Sequence, residues 1–426
     1  MSKLTQKYHL LIPEKLLPVL EQIEINPPNI SGFSISRMKF LISTILTHKQ
    51  NDSQFSYSIL NMAYLKKIVP RADEYLNLLK NIKAIECIDY SAGRNSRLYR
   101  CTKQYHGPTV WRTLNDQNLI RRIEETSSKL KFRNSKKYPQ LNKYVHMVKI
   151  DVKAALRTIE ESYQSRINNP DSEIRQKAEG RRIYSRGEVI KIFQGQIYIK
   201  VSKTNGRYDT NYTRLPLELV KHLTINGIHL LELDMVNSQP FFASGLFDPT
   251  SEIQGIMGKT LFMYTKRLHL SDEQDVKLYV SLVKEGNFYE FMMKKFKEKR
   301  IAFIDRQDFK EQLFTVFFGK NNAFHYSPAV RLFISIFPNV WSLFEEVKKK
   351  EHNKLAILLQ RTESFTMLDC VAQKIIREFP EVPFLTKHDS ILLPGNLTKE
   401  KSESIENLLI ETIEKIIGHI PKLKRK

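Results

Sequence analysis

The sequence predicts an α+β protein of two or three domains, and three observations carry that expectation. The chain has 426 residues, more than a single hydrophobic core usually serves. Apolar residues recur at steps of three and four through much of the first 168 positions, the period of amphipathic helices. From about Ile192 the period changes to two, FQGQIYIKVS alternating like a half-buried strand. Strand-like and helix-like runs then alternate, so that 201–426 reads as one α/β domain. Hydrophobic content of 41% and aromatic content of 10% exclude a disordered chain.

The net charge of +22 favours polyanionic partners, nucleic acid first and an anionic membrane surface second. No apolar run reaches the roughly 18–20 residues of a membrane span. The first residues, MSKLTQKYHLLIPEKL, lack a signal-peptide core and cleavage site. Cys87, Cys101 and Cys370 form no CxxC pair, which predicts reduced thiols, no zinc site and a cytoplasmic location inside a bacterial or host cell. The absence of a GxxxxGK[ST] loop argues against a P-loop ATPase.

Along the chain, SRMKFLISTILTH reads as a helix. ADEYLNLLKNIKAIECIDYSAGRNSRLYRCT reads as a helix with Tyr75, Leu78, Leu79 and Ile82 on one side, then a hairpin turning at Ala92–Asn95. Helices followed by a basic-tipped hairpin resemble a winged helix-turn-helix domain, here 1–114. Arg94, Arg97 and Arg100 would face phosphates from its wing. Residues 115–168 are expected to be helical, Val145, Val148, Val152, Leu156, Ile159 and Tyr163 forming one apolar stripe. Asn168-Asn169-Pro170-Asp171 marks a turn.

Two aspartates stand on apolar strands. Asp234 ends the run IHLLELD, and Asp389 interrupts LTKHDSILLP. A charge there costs free energy unless it has a partner. Side by side, the two carboxylates would repel and their pKa values would rise; two Mg²⁺ ions resolve the conflict, with Mn²⁺ as a substitute. Paired metals about 3.5–4 Å apart serve phosphoryl transfer by stabilising both the attacking and the leaving oxygen. Either aspartate alone also fits a capped or salt-bridged structural residue. A third element sharpens the pair: in IDRQDFKEQLFTVFFGKNN, Arg306, Lys310, Phe314 and Phe318 recur every four residues and share one helical face. Gly319 follows as the helix-ending residue. Cations on that face suit a triphosphate, and rings suit a base or sugar.

Together these segments resemble the palm and fingers of family A (DNA polymerase I-type) polymerases and the related phage-type single-subunit RNA polymerases. The order is a strand ending in Asp234, a fingers helix of the form R-x3-K-x3-[FM]-x3-YG, and a hairpin carrying His388-Asp389-Ser390. TNGRYDT looks like the family's TGRLSS segment, which carries a primer–template contact over to Arg207. LLQRTESFTMLD resembles the family's QGTAAD helix and suggests Gln360 and Arg361 on the template side. The resemblance covers about 190–426, roughly half the chain. It implies a right-hand palm with an antiparallel sheet and helical fingers over 191–426, and a helical thumb-like connector over 115–190.

Two positions depart from the pattern. Phe318 stands where the family has Tyr, and Gln239 where its DNA polymerases carry a Glu against the ribose. Phe314 is the DNA-polymerase form, and Ser390 the RNA-polymerase form. The resemblance implies templated nucleotidyl transfer with Asp234 and Asp389 on the metals, Lys310 and Arg306 on the phosphates, Phe314, Phe318 and Gln239 near sugar and base, and His388 at the primer end. The expected partners are primer–template DNA, dNTPs or rNTPs, and accessory replication proteins, with no membrane. The first expectation is a DNA-directed DNA polymerase without proofreading, of a phage, plasmid or mobile element. The alternatives are a phage-type RNA polymerase and a DNA-binding replication protein with an inactive palm.

Overall fold

The run SRMKFLISTILTH folds as the helix Ile35–Thr47, burying Met38, Leu41, Ile42 and Ile45 at helical spacing. It belongs to a computed structural model that describes residues 8–47, 50–51, 57–88, 97–134, 137–248, 251–253 and 270–426. The chain divides into two units, one of residues 1–199 with 210–229 and the other of 200–209 with 230–426. Helices and antiparallel strands occur in both.

In the first unit, Tyr8–Pro13 pairs antiparallel with Thr109–Leu114. Ser43 of the Ile35–Thr47 helix accepts a hydrogen bond from the Leu11 amide at 3.0 Å. The helix Ala72–Asn81 buries Tyr75, Leu76 and Leu79, with Leu78 and Ile82 packed at the edge of the same core. Ile85–Ile88 and Leu98–Cys101 form the expected antiparallel hairpin, Cys87 opposite Tyr99. Its turn at Ala92–Asn95, with Arg94, lies outside the described residues. Arg97 is exposed at the start of the second strand. Arg100 turns back onto the hairpin, pairing with Glu86 at 2.7 Å and lying 4.5 Å over the Tyr57 ring.

The single helical stripe expected over 115–168 is instead interrupted. Val148–Ile150 is a strand, paired antiparallel with Leu223–Ile225. Val145 therefore lies on the helix Pro139–Met147, and the residues from Val152 onward lie on the helix Val152–Ile167. The break has two local causes. Valine and isoleucine fit a strand at least as well as a helix, and Asp151 starts the next helix by accepting from the Ala154 amide at 3.0 Å. The period-two signal from Ile192 also begins too early. The helix Ser172–Phe193 runs through Ile192, and only Ile199–Val201 is strand. Within that helix a Cβ on Gly187 would lie 2.6 Å from Thr47 Cβ, so the close crossing with the Ile35–Thr47 helix requires glycine.

The second unit centres on the strand segment 230–235. Ser390–Pro394 pairs antiparallel on one side of it, Asp234 opposite Ser390. Leu423–Arg425 pairs on the other side, Asp234 opposite Lys424. Leu385–Lys387 pairs with Ser390–Pro394 to complete the hairpin. Ile391, Leu392 and Leu393 are all buried, so the second hairpin strand is covered on both faces. The helical part holds an aromatic core, with Tyr279, Phe288, Phe333 and Phe337 at ring separations of 5.1–6.4 Å. Phe317 joins it through Phe344 at 5.5 Å.

Among the described residues no helix is long and apolar enough to cross a membrane, and none of the three cysteines forms a disulfide.

Candidate functional site

The strand register brings the two aspartates together. Asp234 lies opposite Ser390, and Asp389 is the neighbouring residue in the turn that joins Leu385–Lys387 to Ser390–Pro394. The turn is tight, with His388 in the left-handed region at φ 57°. Burial raises the Asp389 carboxyl above its ordinary range; a hydrogen bond from Ser238 pulls it back, and the Asp234 charge adds to the rise. Lys426 donates to Asp234 Oδ2. Burial lowers the Lys426 ammonium, but Asp234's hydrogen bond and charge reverse the effect and raise it overall.

Among the described residues no group of three or more His, Cys, Asp or Glu side chains is arranged for a metal. The donor set here is two carboxylates. That set suits Mg²⁺, which takes one or two protein carboxylates and completes its shell with water and substrate phosphates. An ammonium already sits on Asp234, so the position accepts positive charge.

The helix Arg306–Phe318 has the bounds the sequence suggests. Asp305 caps it, its side chain accepting from the amides of Gln307 and Asp308 at 2.8 Å each. It ends at Gly319 in extended rather than left-handed conformation, where a Cβ would run into the Thr315 carbonyl. The core face is Phe309, Leu313, Val316 and Phe317. The stripe Arg306, Lys310, Phe314 and Phe318 is not part of it: Arg306 is exposed and the other three are half-buried. The aromatic rings at 314 and 318 contact each other at 5.5 Å.

Arg306 pairs with Glu290 at 2.7 Å, and the Lys310 ammonium lies 4.8 Å over the Tyr289 ring. Burial lowers the Lys310 ammonium, and the Arg306 charge lowers it further; Asp234 acts in the opposite direction. Burial raises the Tyr289 hydroxyl, and the Asp389 charge adds to that. The stripe's lysine and its aromatic neighbour thus share an electrostatic environment with the two aspartates.

The TGR-like and QGTAAD-like segments meet. Asn205 donates to Gln360 Oε1 at 2.8 Å, and Arg361, itself exposed, donates from Nε to the Thr204 carbonyl at 2.7 Å. Arg207 forks onto Glu363, Nε donating to Oε1 and Nη2 to Oε2, each at 3.0 Å. Gln239, only 7% exposed, donates its amide Nε2 to Glu363 Oε2, and its Oε1 has no partner among the described residues.

Glu363 is 1% exposed and is absent from the sequence expectation. Its carboxyl is raised to about 8 in all, by burial first, with Arg207 and Gln239 acting against the rise and Asp389 adding to it. Three N–H donors converge on its two oxygens, which is the geometry of the ionised form. A signal for it exists: Leu355, Leu359 and Met367 form a fully buried row at steps of four, and Glu363 occupies the gap in that row.

His388 Nδ1 is buried without a partner among the described residues, and its imidazole is lowered to about 4, chiefly by burial and in part by the Arg207 and Lys387 charges. It is neutral at ordinary pH. Ser390 donates to Glu232 Oε1 at 2.7 Å, so its hydroxyl is engaged by a third carboxylate rather than by either aspartate. Arg94 lies outside the described residues, and Arg97 belongs to the first unit.

No family model and no curated protein matches the chain. Among solved structures, the POL domain of Pol1 from M. smegmatis, in complex with DNA primer-template and dNTP, is similar at a TM-score of 0.37 and 11% sequence identity, over 73% of this chain and 72% of that one. At that score the likeness assigns no residue a role, and the site stands on its own geometry.

Proposed function

We propose that the chain is a template-dependent nucleotidyltransferase, in type a DNA-directed DNA polymerase of family A without proofreading, serving a phage, plasmid or mobile element. The observation that carries the reading is the antiparallel register that sets Asp234 beside Asp389, with Lys310 of a separate, half-exposed helix stripe in the same electrostatic surroundings. In this reading 191–426 is palm and fingers, 115–190 a thumb-like connector, and 1–114 a winged-helix-like domain whose Arg94 and Arg97 meet phosphates.

Asp234 and Asp389 would hold Mg²⁺, which supplies Lewis-acid activation of the primer hydroxyl and charge neutralisation on the triphosphate when bound. Lys426 leaves Asp234 as the site fills. Lys310, with its ammonium lowered by burial, is suited to hold an α-phosphate oxygen and to give a proton to the departing pyrophosphate. Arg306, exposed and paired among the described residues with the surface Glu290, is free to exchange it for β- and γ-phosphate oxygens. Phe314 and Phe318 stack near sugar and base, and Gln239 faces the sugar. Neutral His388 supports the primer end. Arg207, Gln360 and Arg361 meet the primer–template, and the excess of Lys and Arg binds phosphates without reading sequence.

The test is extension of a labelled primer with Mg²⁺, offering dNTPs and rNTPs side by side with and without the primer. Extension with dNTPs from the primer supports the reading. Primer-independent RNA synthesis would move it to the phage-type RNA polymerases, and no synthesis by a protein that still binds duplex would leave a DNA-binding protein with an inactive palm.

A further inference from the structure

We propose that Glu363 is a positioning residue that fixes which way the Gln239 amide faces, and so sets how the site discriminates between nucleotide sugars. The inference rests on the polymerase reading above and deepens it.

Three observations converge. Glu363 is a buried carboxylate on the helix Lys354–Ser364, whose other fully buried side chains in the same row are apolar. Arg207 occupies one side of it with a two-point fork, which holds the carboxyl group in one plane. A further lone pair, on Oε2, takes Gln239 Nε2. An amide has a donor end and an acceptor end, and a carboxylate tolerates only the donor. Glu363 therefore dictates that Gln239 keeps Oε1 for something else. That oxygen is buried and has no partner among the described residues, and an orphaned buried acceptor costs free energy until a donor arrives. A sugar hydroxyl is such a donor. Ribose carries one more hydroxyl than deoxyribose, so a fixed acceptor treats the two nucleotides unequally, whereas an amide free to turn over does not.

Arg207 acts in the same unit of three. It orients the carboxylate, so loss of Arg207 loosens Gln239 as well as any contact Arg207 makes itself.

The experiment compares kcat/KM for dNTP and rNTP incorporation in the full chain, wild type against Glu363→Gln and Gln239→Met. Glu363→Gln keeps the shape but accepts either end of the facing amide. The expected result is a change of about fivefold or more in the rNTP-to-dNTP ratio, arising in KM, with kcat for the preferred nucleotide within about threefold of wild type. Gln239→Met should move the ratio in the same direction, and adding Glu363→Gln to it should change the ratio no further. An unchanged ratio in a Glu363→Gln protein that melts like wild type overturns the inference while leaving the polymerase reading intact. If Glu363→Gln does not fold, an unchanged ratio in Gln239→Met overturns it equally. Failure of the wild type to incorporate either nucleotide overturns both.

Discussion

Replacing Lys348 by methionine should stabilise the protein by about 1 kcal/mol. Lys348 is 3% exposed, at the end of the helix Pro338–Lys348. Its ammonium donates to the Val316 carbonyl at 2.9 Å, a carbonyl in the last turn of the Arg306–Phe318 helix, and lies 4.2 Å over the Trp341 ring. It thus caps the negative end of the helix dipole. Among the described residues no carboxylate forms an ion pair with it, and its pKa is lowered from 10.5 to about 8 by burial, with the Glu345 charge acting against the fall. At 1.36 kcal/mol for each factor of ten, the charged form costs about 3 kcal/mol relative to the neutral amine. Methionine removes that cost but loses a hydrogen bond and strands the Val316 carbonyl, each about 1 kcal/mol, which leaves the net near 1 kcal/mol. The second unit has about 200 residues, so its melting temperature should rise by about 2–4 °C. The sign is also testable. Between pH 8 and 10.5 the unfolded lysine holds its proton and the folded one does not, so wild-type stability gains with rising pH relative to the variant, and the gap between the two closes. Thermal melts of both proteins from pH 7 to 9.5 measure this. A variant that melts lower at pH 7, or a gap that does not narrow with pH, refutes the reasoning.

Asp389→Asn should reduce primer extension by about a thousandfold or more while duplex affinity stays nearly constant, and normal extension would remove the metal assignment. The same variant should melt higher, because a carboxyl held above its ordinary 3.8, chiefly by burial, costs stability at every pH above its folded value. Lys310→Ala should slow single-turnover incorporation by about a hundredfold and change duplex binding by less than about threefold; equal losses in both would make Lys310 a phosphate clamp only. Phe317→Ala and Phe314→Ala separate the two faces of one helix. The first should cost about 3–5 kcal/mol in chemical denaturation, the second less than about 1.5 kcal/mol while raising the nucleotide KM.

The Arg306–Phe318 helix was legible because its signals are local, a four-residue period and a closing glycine, although the capping Asp305 was not read from the sequence. The turn at His388-Asp389 was legible because its flanks are apolar and short. The strand Val148–Ile150 was not, since valine at helical spacing satisfies both periods and only its partner at Leu223–Ile225 decides between them. Glu363 escaped for a related reason. A glutamate on a helix reads as surface; the apolar row it interrupts hints at burial, but its partner is an arginine 156 positions away, which local pattern does not reveal. The division of residues on the Arg306–Phe318 helix into a core face and a half-exposed stripe also needed the fold, because phenylalanine occurs on both.

The strand segment 230–235 has neighbours on both sides, and Glu232 exchanges two further backbone hydrogen bonds with Lys426 at 3.1 and 2.9 Å. Amides clamped in this way do not meet solvent through small fluctuations; they exchange when a whole cooperative unit opens. Asp234 is therefore mounted on what should be among the slowest-exchanging parts of the chain, with Asp389 in the turn of the hairpin paired to it, while the Arg306 and Lys310 side chains that would meet the nucleotide stand on a helix with solvent along one side. Deuterium uptake should divide the site accordingly, into a rigid half that holds charge in register and a yielding half that admits and releases its ligand.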